Sequence, residues 1–255
     1  MKLVVLGSGS AVPHPFRSGS AYWLETSSGT ILLDCAASAG HRMAQEKLDW
    51  TRLDAIWISH FHLDHVGGLA PFLFGTRNAE AMKERAKPLK IFGAKGLEKL
   101  VEAFDEVNNY KLFRQPFPLE IVEVEEHEEF EILPATRAVA IKTPHTDESL
   151  AIHLRDKDDK TLVYSSDTGF TKTLGAFARA ADLFVLECSF FKNKPIEKHL
   201  ELEEAMFLIR YAAPKKALLT HFYAEWDAVY FDREIEKYEP SCAVIAARDG
   251  LRLEI

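Results

Sequence analysis

Ser59-His60-Phe61-His62-Leu63-Asp64-His65 places three imidazoles and a carboxylate within six residues. These are the side chains that hold zinc and neighbouring transition metals, and such density is a metal-binding pattern. The preceding run Asp54–Ser59 is apolar and reads as a strand. Side chains alternate along a strand, so His60 and His62 point the same way at its end. Asp64 and His65 open the next helix and turn back toward the same point. Two ligand pairs in one turn can serve two metals a few ångströms apart.

A two-metal centre needs further donors, and three follow at the ends of later strands. His145 ends Lys142-Thr143-Pro144-His145, Asp167 lies in Tyr164-Ser165-Ser166-Asp167, and His221 ends Leu218-Leu219-Thr220-His221. Each lies just past an apolar run, where a loop presents it at one edge of a sheet. His60, His62, Asp64, His65, His145, Asp167 and His221 are the candidate ligands. Imidazoles with carboxylates suit zinc, with manganese or iron as alternatives.

The elements that must position these groups follow from the pattern of the chain. Strands are expected at Lys2–Leu6, Ser20–Thr26, Thr30–Asp34, Asp54–Ser59 and Leu89–Phe92 in the first half. Helices are expected at Ala39–Leu48, Asp64–Gly75 and Lys95–Asn108, the last from the spacing of Leu97, Leu100, Val101 and Phe104. The second half adds strands at Leu119–Val124, Ala135–Lys142, Ser149–Leu154, Thr161–Ser165, Leu183–Glu187, Ala217–Thr220, Ala243–Ala246 and Leu251–Glu254. Its helices fall at Thr171–Ala180, Leu202–Ala212 and Asp227–Tyr238. This alternation in both halves predicts an α/β fold of two sheets packed face to face with helices outside. No repeat or linker divides residues 1–255, so one domain is expected.

Composition narrows the setting. The 255 residues carry 31 Lys+Arg against 39 Asp+Glu, a formal charge of −8, which argues against a general polyanion binder. No apolar run approaches the roughly 18 residues of a membrane span. Cys35, Cys188 and Cys242 are dispersed, which fits a reducing, cytoplasmic setting better than a disulfide framework. Gly7-Ser8-Gly9-Ser10 follows a strand as a dinucleotide loop does, but the third glycine is missing, and Pro13 and Pro15 block the helix such a loop needs. Six basic residues between Arg77 and Lys95, and Lys192, Lys194 and Lys198, are the segments able to meet a phosphate backbone. Seven Glu in Glu120–Glu131 would repel one.

HxHxDH followed by a His, an Asp and a His at strand ends resembles the metal-ligand order of the metallo-β-lactamase superfamily. The resemblance runs from Leu6-Gly7-Ser8-Gly9 to His221 and implies an αββα sandwich with its site along one edge of the sheets. It also implies that His60, His62 and His145 hold one metal, that Asp64, His65 and His221 hold the other with Asp167 bridging, and that Asp34 supports the site loop. Within the superfamily the chain is most similar to ribonuclease Z and related phosphodiesterases. Leu6-Gly7-Ser8-Gly9-Ser10-Ala11-Val12-Pro13 with Arg17 and Ser20, Pro88–Gly93, and Glu187-Cys188-Ser189-Phe190 look like that group's motifs. His199, 22 residues before His221, resembles the group's extra histidine, which the resemblance assigns to diester cleavage. The group's habit of dimerising implies a homodimer.

Two features depart from ribonuclease Z. That group inserts a long arm for gripping tRNA between the positions matching His145 and Asp167, whereas here 21 residues separate them and read as one hairpin. The last motif, His221-Phe222-Tyr223-Ala224-Glu225-Trp226, lacks the Ser and Arg that hold phosphate in that group. The expected activity is metal-dependent phosphodiester hydrolysis, on an RNA 3′ end or a small or cyclic diester. Asp64 orients the attacking water or takes its proton, and His199 protonates the leaving oxygen. The alternatives are a lactone or thioester hydrolase on the same fold, and a non-catalytic metal-binding module.

Overall fold

Two seven-stranded sheets lie face to face. The computed structural model describes residues 1–255. Sheet 1 contains β1 (Lys2–Gly7), β2 (Ala21–Thr26), β3 (Gly29–Leu33), β4 (Ala55–Ile58), β5 (Leu89–Gly93), β6 (Leu119–Glu123) and β14 (Arg252–Glu254), in the order β14-β1-β2-β3-β4-β5-β6. Sheet 2 contains β7 (Glu129–Leu133), β8 (Thr136–Lys142), β9 (Leu150–Arg155), β10 (Thr161–Tyr164), β11 (Leu183–Glu187), β12 (Lys216–Thr220) and β13 (Ala243–Ala246), in the order β13-β12-β11-β10-β9-β8-β7. Helices α1 (Ala39–Gln45), α2 (Leu63–Val66), α3 (Leu69–Asn78) and α4 (Leu97–Glu106) belong to the first half, and α5 (Lys172–Phe177), α6 (Leu202–Ala212) and α7 (Phe231–Glu236) to the second. This is the αββα sandwich of the metallo-β-lactamase fold. No helix is long and apolar enough to cross a membrane.

The strand sequences explain the layering. In β4 all four residues are buried, as expected of a central parallel strand covered on both faces. Ala55 and Trp57 join a core of 45 buried residues that fills the space between the sheets and extends beneath α5 and α6. Ile56 and Ile58 point the other way, into a core of 22 residues beneath α1, α3 and α4. The period-two alternation of a single strand thus divides its side chains between the two cores.

Direction decides where the site forms. β3, β4 and β5 run parallel, as do β10, β11 and β12. β8 is antiparallel to β9, and β9 to β10, so β8 shares their direction. The loops after β3, β4, β8, β10, β11 and β12 therefore gather at the carboxyl ends of parallel strands, where open α/β sheets place their ligand sites.

Three elements differ from the sequence reading. The helix expected at Asp64–Gly75 is two helices, broken at Gly67-Gly68. A Cβ at residue 68 would sit 2.1 Å from the Ala36 carbonyl oxygen, and the Gly68 N–H donates to Cys35 O at 2.7 Å. The chain turns there to press α3 against the loop after β3. The helix expected at Asp227–Tyr238 is instead a 3-10 turn, Ala224–Ala228, followed by α7, because the backbone leaves the helical region at Val229 and Tyr230. β7 was concealed by its glutamates. Its Glu129 and Glu131 are exposed while Ile132 and Leu133 are buried, the pattern of an edge strand.

Candidate metal centre

Seven donors meet at the sheet edge in two clusters that share one carboxylate. His60, His62, His145 and Asp167 form the first, and Asp64, His65, Asp167 and His221 the second, with the donor atoms of each within 4.8 Å of one another. The two oxygens of Asp167 divide between them. Oδ2 lies 3.7 Å from His145 Nε2 and 3.9 Å from His60 Nε2. Oδ1 lies 3.2 Å from His65 Nε2 and 3.3 Å from His221 Nε2. Asp64 Oδ2 closes the second cluster at 3.3 Å from His221 Nε2.

The imidazoles are aimed by bonds on their other nitrogens. His65 Nδ1 donates to Asp34 Oδ2 at 2.7 Å, and His145 Nδ1 to the Lys198 carbonyl at 2.9 Å. His60 Nδ1 is 3.1 Å from Ser59 Oγ and 3.3 Å from Ser166 Oγ, and His221 Nδ1 is 3.0 Å from Ser189 Oγ. Such outer contacts fix ring orientation and tautomer in metal sites. Backbone geometry contributes as well. Asp34, Ser166 and His221 adopt left-handed φ values of 57°, 53° and 62°, which turn the chain sharply at strand ends.

Whether these residues suit a metal is tested by their unsatisfied atoms. His60 Nε2, His65 Nε2 and Asp167 Oδ1 are buried without a partner in hydrogen-bonding geometry, although the last two lie 3.2 Å apart. Buried polar atoms are rarely orphaned, and three of them converge here. The charge states suit ligation too, since ligands must be neutral imidazole or ionised carboxylate. Burial, reinforced by neighbouring imidazoles, pushes His60 down to about 2, and burial also lowers His145. Burial would raise Asp64, but the His221 hydrogen bond and the charges of His65 and His221 outweigh it and bring it to about 2. Asp167 is held well below the carboxylate range by His221 and His65 against its burial. Burial disfavours charge on His65, yet Asp167 and Asp34 raise it, and a field that favours a proton there favours a cation. The residues fit a divalent metal.

His199 stands beside this centre, its ring 4.9 Å from that of His145 and 5.4 Å from that of His221. Its Nδ1 donates to Glu187 Oε1 at 2.9 Å. Burial alone would lower its pKa, but the hydrogen bond and charge of Glu187 raise it overall. Glu187 ends β11 and is 1% exposed. It also accepts from the N–H groups of Thr168, Ser189 and Leu200 and from Ser189 Oγ. Sequence reading missed this residue's role. Its signal was a carboxylate closing the apolar run Leu183-Phe184-Val185-Leu186.

A cleft of about 900 Å³ opens beside the centre, between the loop Ser10–Gly19 and His62, Leu63 and Asp64. Its far wall is braced by Arg17, which pairs with Asp227 at 2.8 Å. The basic segment Arg77–Lys95 is largely committed elsewhere. Arg85 donates to the carbonyls of Thr51, Leu53, Lys87 and Pro88, while Lys83, Lys87 and Lys90 pair with Glu80, Asp54 and Glu120. Lys194 is likewise engaged, with Glu204 and Glu197.

Known proteins resemble this chain in sequence and in architecture. Ribonuclease Z from Ignicoccus hospitalis is 27% identical over 273 residues, covering 88% of this chain and 89% of that protein. The metallo-β-lactamase fold protein YhfI from Bacillus subtilis superposes with a TM-score of 0.81 at 22% identity, covering 99% of each chain. Human tRNase Z, short form, superposes with a TM-score of 0.76 at 19% identity, covering 100% of this chain and 99% of that one. By sequence the chain is ribonuclease Z-like, and it has the metallo-β-lactamase fold. The family described as Anti-Pycsar protein Apyc1 matches residues 1–238, and to that family this chain belongs.

Proposed function

We propose that the protein is a dinuclear, zinc-dependent phosphodiesterase acting on a compact diester. The observation that carries this reading is the division of Asp167, one oxygen toward each donor cluster. His60, His62 and His145 would hold one ion, and Asp64, His65 and His221 the other, with Asp167 shared. Mixed imidazole and carboxylate donors favour zinc. Bound there, two such ions supply Lewis acidity to a phosphoryl oxygen and lower the pKa of water toward 7.

The chain's own groups supply the rest. Asp64, at the edge of the cleft, orients the attacking water or takes its proton. Glu187 occupies the Nδ1 side of His199, leaving Nε2 to carry a proton to the departing oxygen. A compact substrate is supported by the short hairpin β9–β10 between His145 and Asp167 and by the size of the cleft. Where ribonuclease Z carries a phosphate-holding Arg, Glu225 and Trp226 stand here, and the Glu225 carboxylate accepts from the Phe191 N–H.

Metal analysis joined to substrate comparison tests this. The purified protein is stripped with a chelator, reloaded with zinc, and assayed on bis(p-nitrophenyl) phosphate, a cyclic diester, a lactone and a thioester. The expected result is two equivalents of zinc per chain and turnover of the diesters alone. Preference for the lactone or thioester would reassign the reaction, and metal binding without turnover of any substrate would reduce the centre to a binding module.

A further inference from the structure

Two tyrosines lie buried between the sheets beneath the centre, Tyr22 in β2 and Tyr164 at the end of β10. Their rings are 5.2 Å apart at 58°. Each hydroxyl bonds to the opposite sheet. Tyr164, from sheet 2, donates to Asp34 Oδ2 at 2.6 Å, at the end of a sheet 1 strand. Tyr22, from sheet 1, is 2.6 Å from Thr220 Oγ1, the last residue of β12 in sheet 2.

The destinations of these bonds are specific. Asp34 Oδ2 also accepts from His65 Nδ1 at 2.7 Å and from Ser59 Oγ at 2.8 Å, and Oδ1 accepts from the Ser59 N–H. Thr220 immediately precedes His221, whose backbone is left-handed. Both paths therefore end on imidazoles of one cluster, that of Asp64, His65, Asp167 and His221. The other cluster has its own direct contacts, Ser59 and Ser166 on His60 and the Lys198 carbonyl on His145, and it meets the first network through Ser59, which Ser166 Oγ reaches at 2.6 Å. Ser59 touches both networks, but it places His60 one hydrogen bond further from Tyr164 than His65 is.

We propose that Tyr164 and Tyr22 are positioning residues for one of the two metal half-sites, locking the sheets in the register that brings His65 and His221 together. The inference rests on the two-metal reading above. A phenylalanine at 164 fills the same space but donates nothing, which leaves a buried carboxylate short of one partner and His65 less firmly aimed. Loss of a contact made directly to a ligand typically weakens metal affinity by about 10–100-fold, and Tyr164 stands one bond further out, so its loss should weaken affinity by about tenfold, the lower end of that range. A tyrosine that only packed the core would change stability without choosing between the half-sites.

Metal affinity, read directly, decides the matter. Metal-free wild type, Tyr164→Phe, Tyr22→Phe and Ser166→Ala are titrated with zinc against a chromophoric chelator. His145→Ala, which removes a donor from the first cluster only, assigns the two binding steps. Near-ultraviolet circular dichroism of the metal-free variants checks folding. For Tyr164→Phe the expected result is a fall of about tenfold in the step belonging to His65 and His221, with the other step within about twofold of wild type. Tyr22→Phe should weaken the same step, and Ser166→Ala the other one. Equal weakening of both steps, or of neither, in Tyr164→Phe overturns the proposal. If Tyr164→Phe fails to fold, Tyr22→Phe is judged by the same criterion. Wild type binding a single equivalent would overturn the two-metal reading itself, a result distinct from two steps that weaken together.

Discussion

Glu187 accepts the Nδ1–H of His199 at 2.9 Å and is itself saturated by four further donors, three backbone N–H groups and the Ser189 hydroxyl. The imidazole therefore has a fixed tautomer and a fixed direction. His199→Ala should lower kcat on poorly activated diesters by about 10²–10⁴-fold, the usual worth of general acid catalysis. On p-nitrophenyl esters, whose leaving group departs without a proton, the loss should be much smaller. Glu187→Gln should follow the same pattern to a lesser degree, and zinc content should not change in either variant. Steady-state rates on the two substrate types, with metal analysis, check this. Equal losses on both would assign His199 to phosphate positioning instead.

Substrate size is the second expectation. With one short hairpin between His145 and Asp167, the chain presents no long arm there for the body of a tRNA. Turnover of a small diester should exceed processing of precursor tRNA at equal concentration. A reversed order, with RNA binding that weakens steeply with salt, would point to an RNA-binding surface elsewhere on the molecule.

Acid stability should report on Asp182. Its carboxyl is held below the ordinary range because bonds from Lys215 and from the Thr161 N–H and hydroxyl outweigh the opposing effect of burial. A depressed folded-state pKa stabilises above the unfolded value of about 3.9 and ceases to do so as pH falls through the folded value. Asp182→Asn should cost about 1 kcal/mol at neutral pH. Below pH about 4 its stability should converge with that of wild type. Urea unfolding at a series of pH values measures both effects.

The inter-sheet core should be sensitive at Trp57. Its indole is fully buried and stacks on Phe130 with ring centroids 6.1 Å apart, so it spans the two sheets. Trp57→Ala should destabilise the protein by about 3–5 kcal/mol. Ile58→Val, on the helix-facing side of the same strand, should cost about 0.5–1.5 kcal/mol. Denaturant midpoints at a constant m-value would establish the difference.

Some of this was written plainly in the chain. The donor-rich run His60–His65 and the donors after apolar strands announced a metal site, because a metal needs many ligands and few other demands crowd them so closely. β4 and α6 were legible for the same reason, since each is buried on the faces its pattern implies. What stayed hidden depended on distant partners. Nothing local in Ser166 shows that its hydroxyl will meet Ser59 at 2.6 Å across 107 positions. Nothing near Tyr164 names Asp34, 130 positions away. β7 was missed because its outward face carries the acids that usually mark a solvated loop, and α2 and α3 were merged because the contact that separates them lies between Gly68 and Ala36.

The left-handed residues around the centre set its designability. An ordinary side chain in that region costs about 1–2 kcal/mol, a cost glycine does not incur. At Ser166 and His221, therefore, foldability and chemistry ask for different amino acids. Backbone conformation alone favours glycine at both positions, whereas packing opposes it, since glycine at 221 would leave a cavity where a buried imidazole stood and glycine at 166 would remove the hydroxyl that meets Ser59.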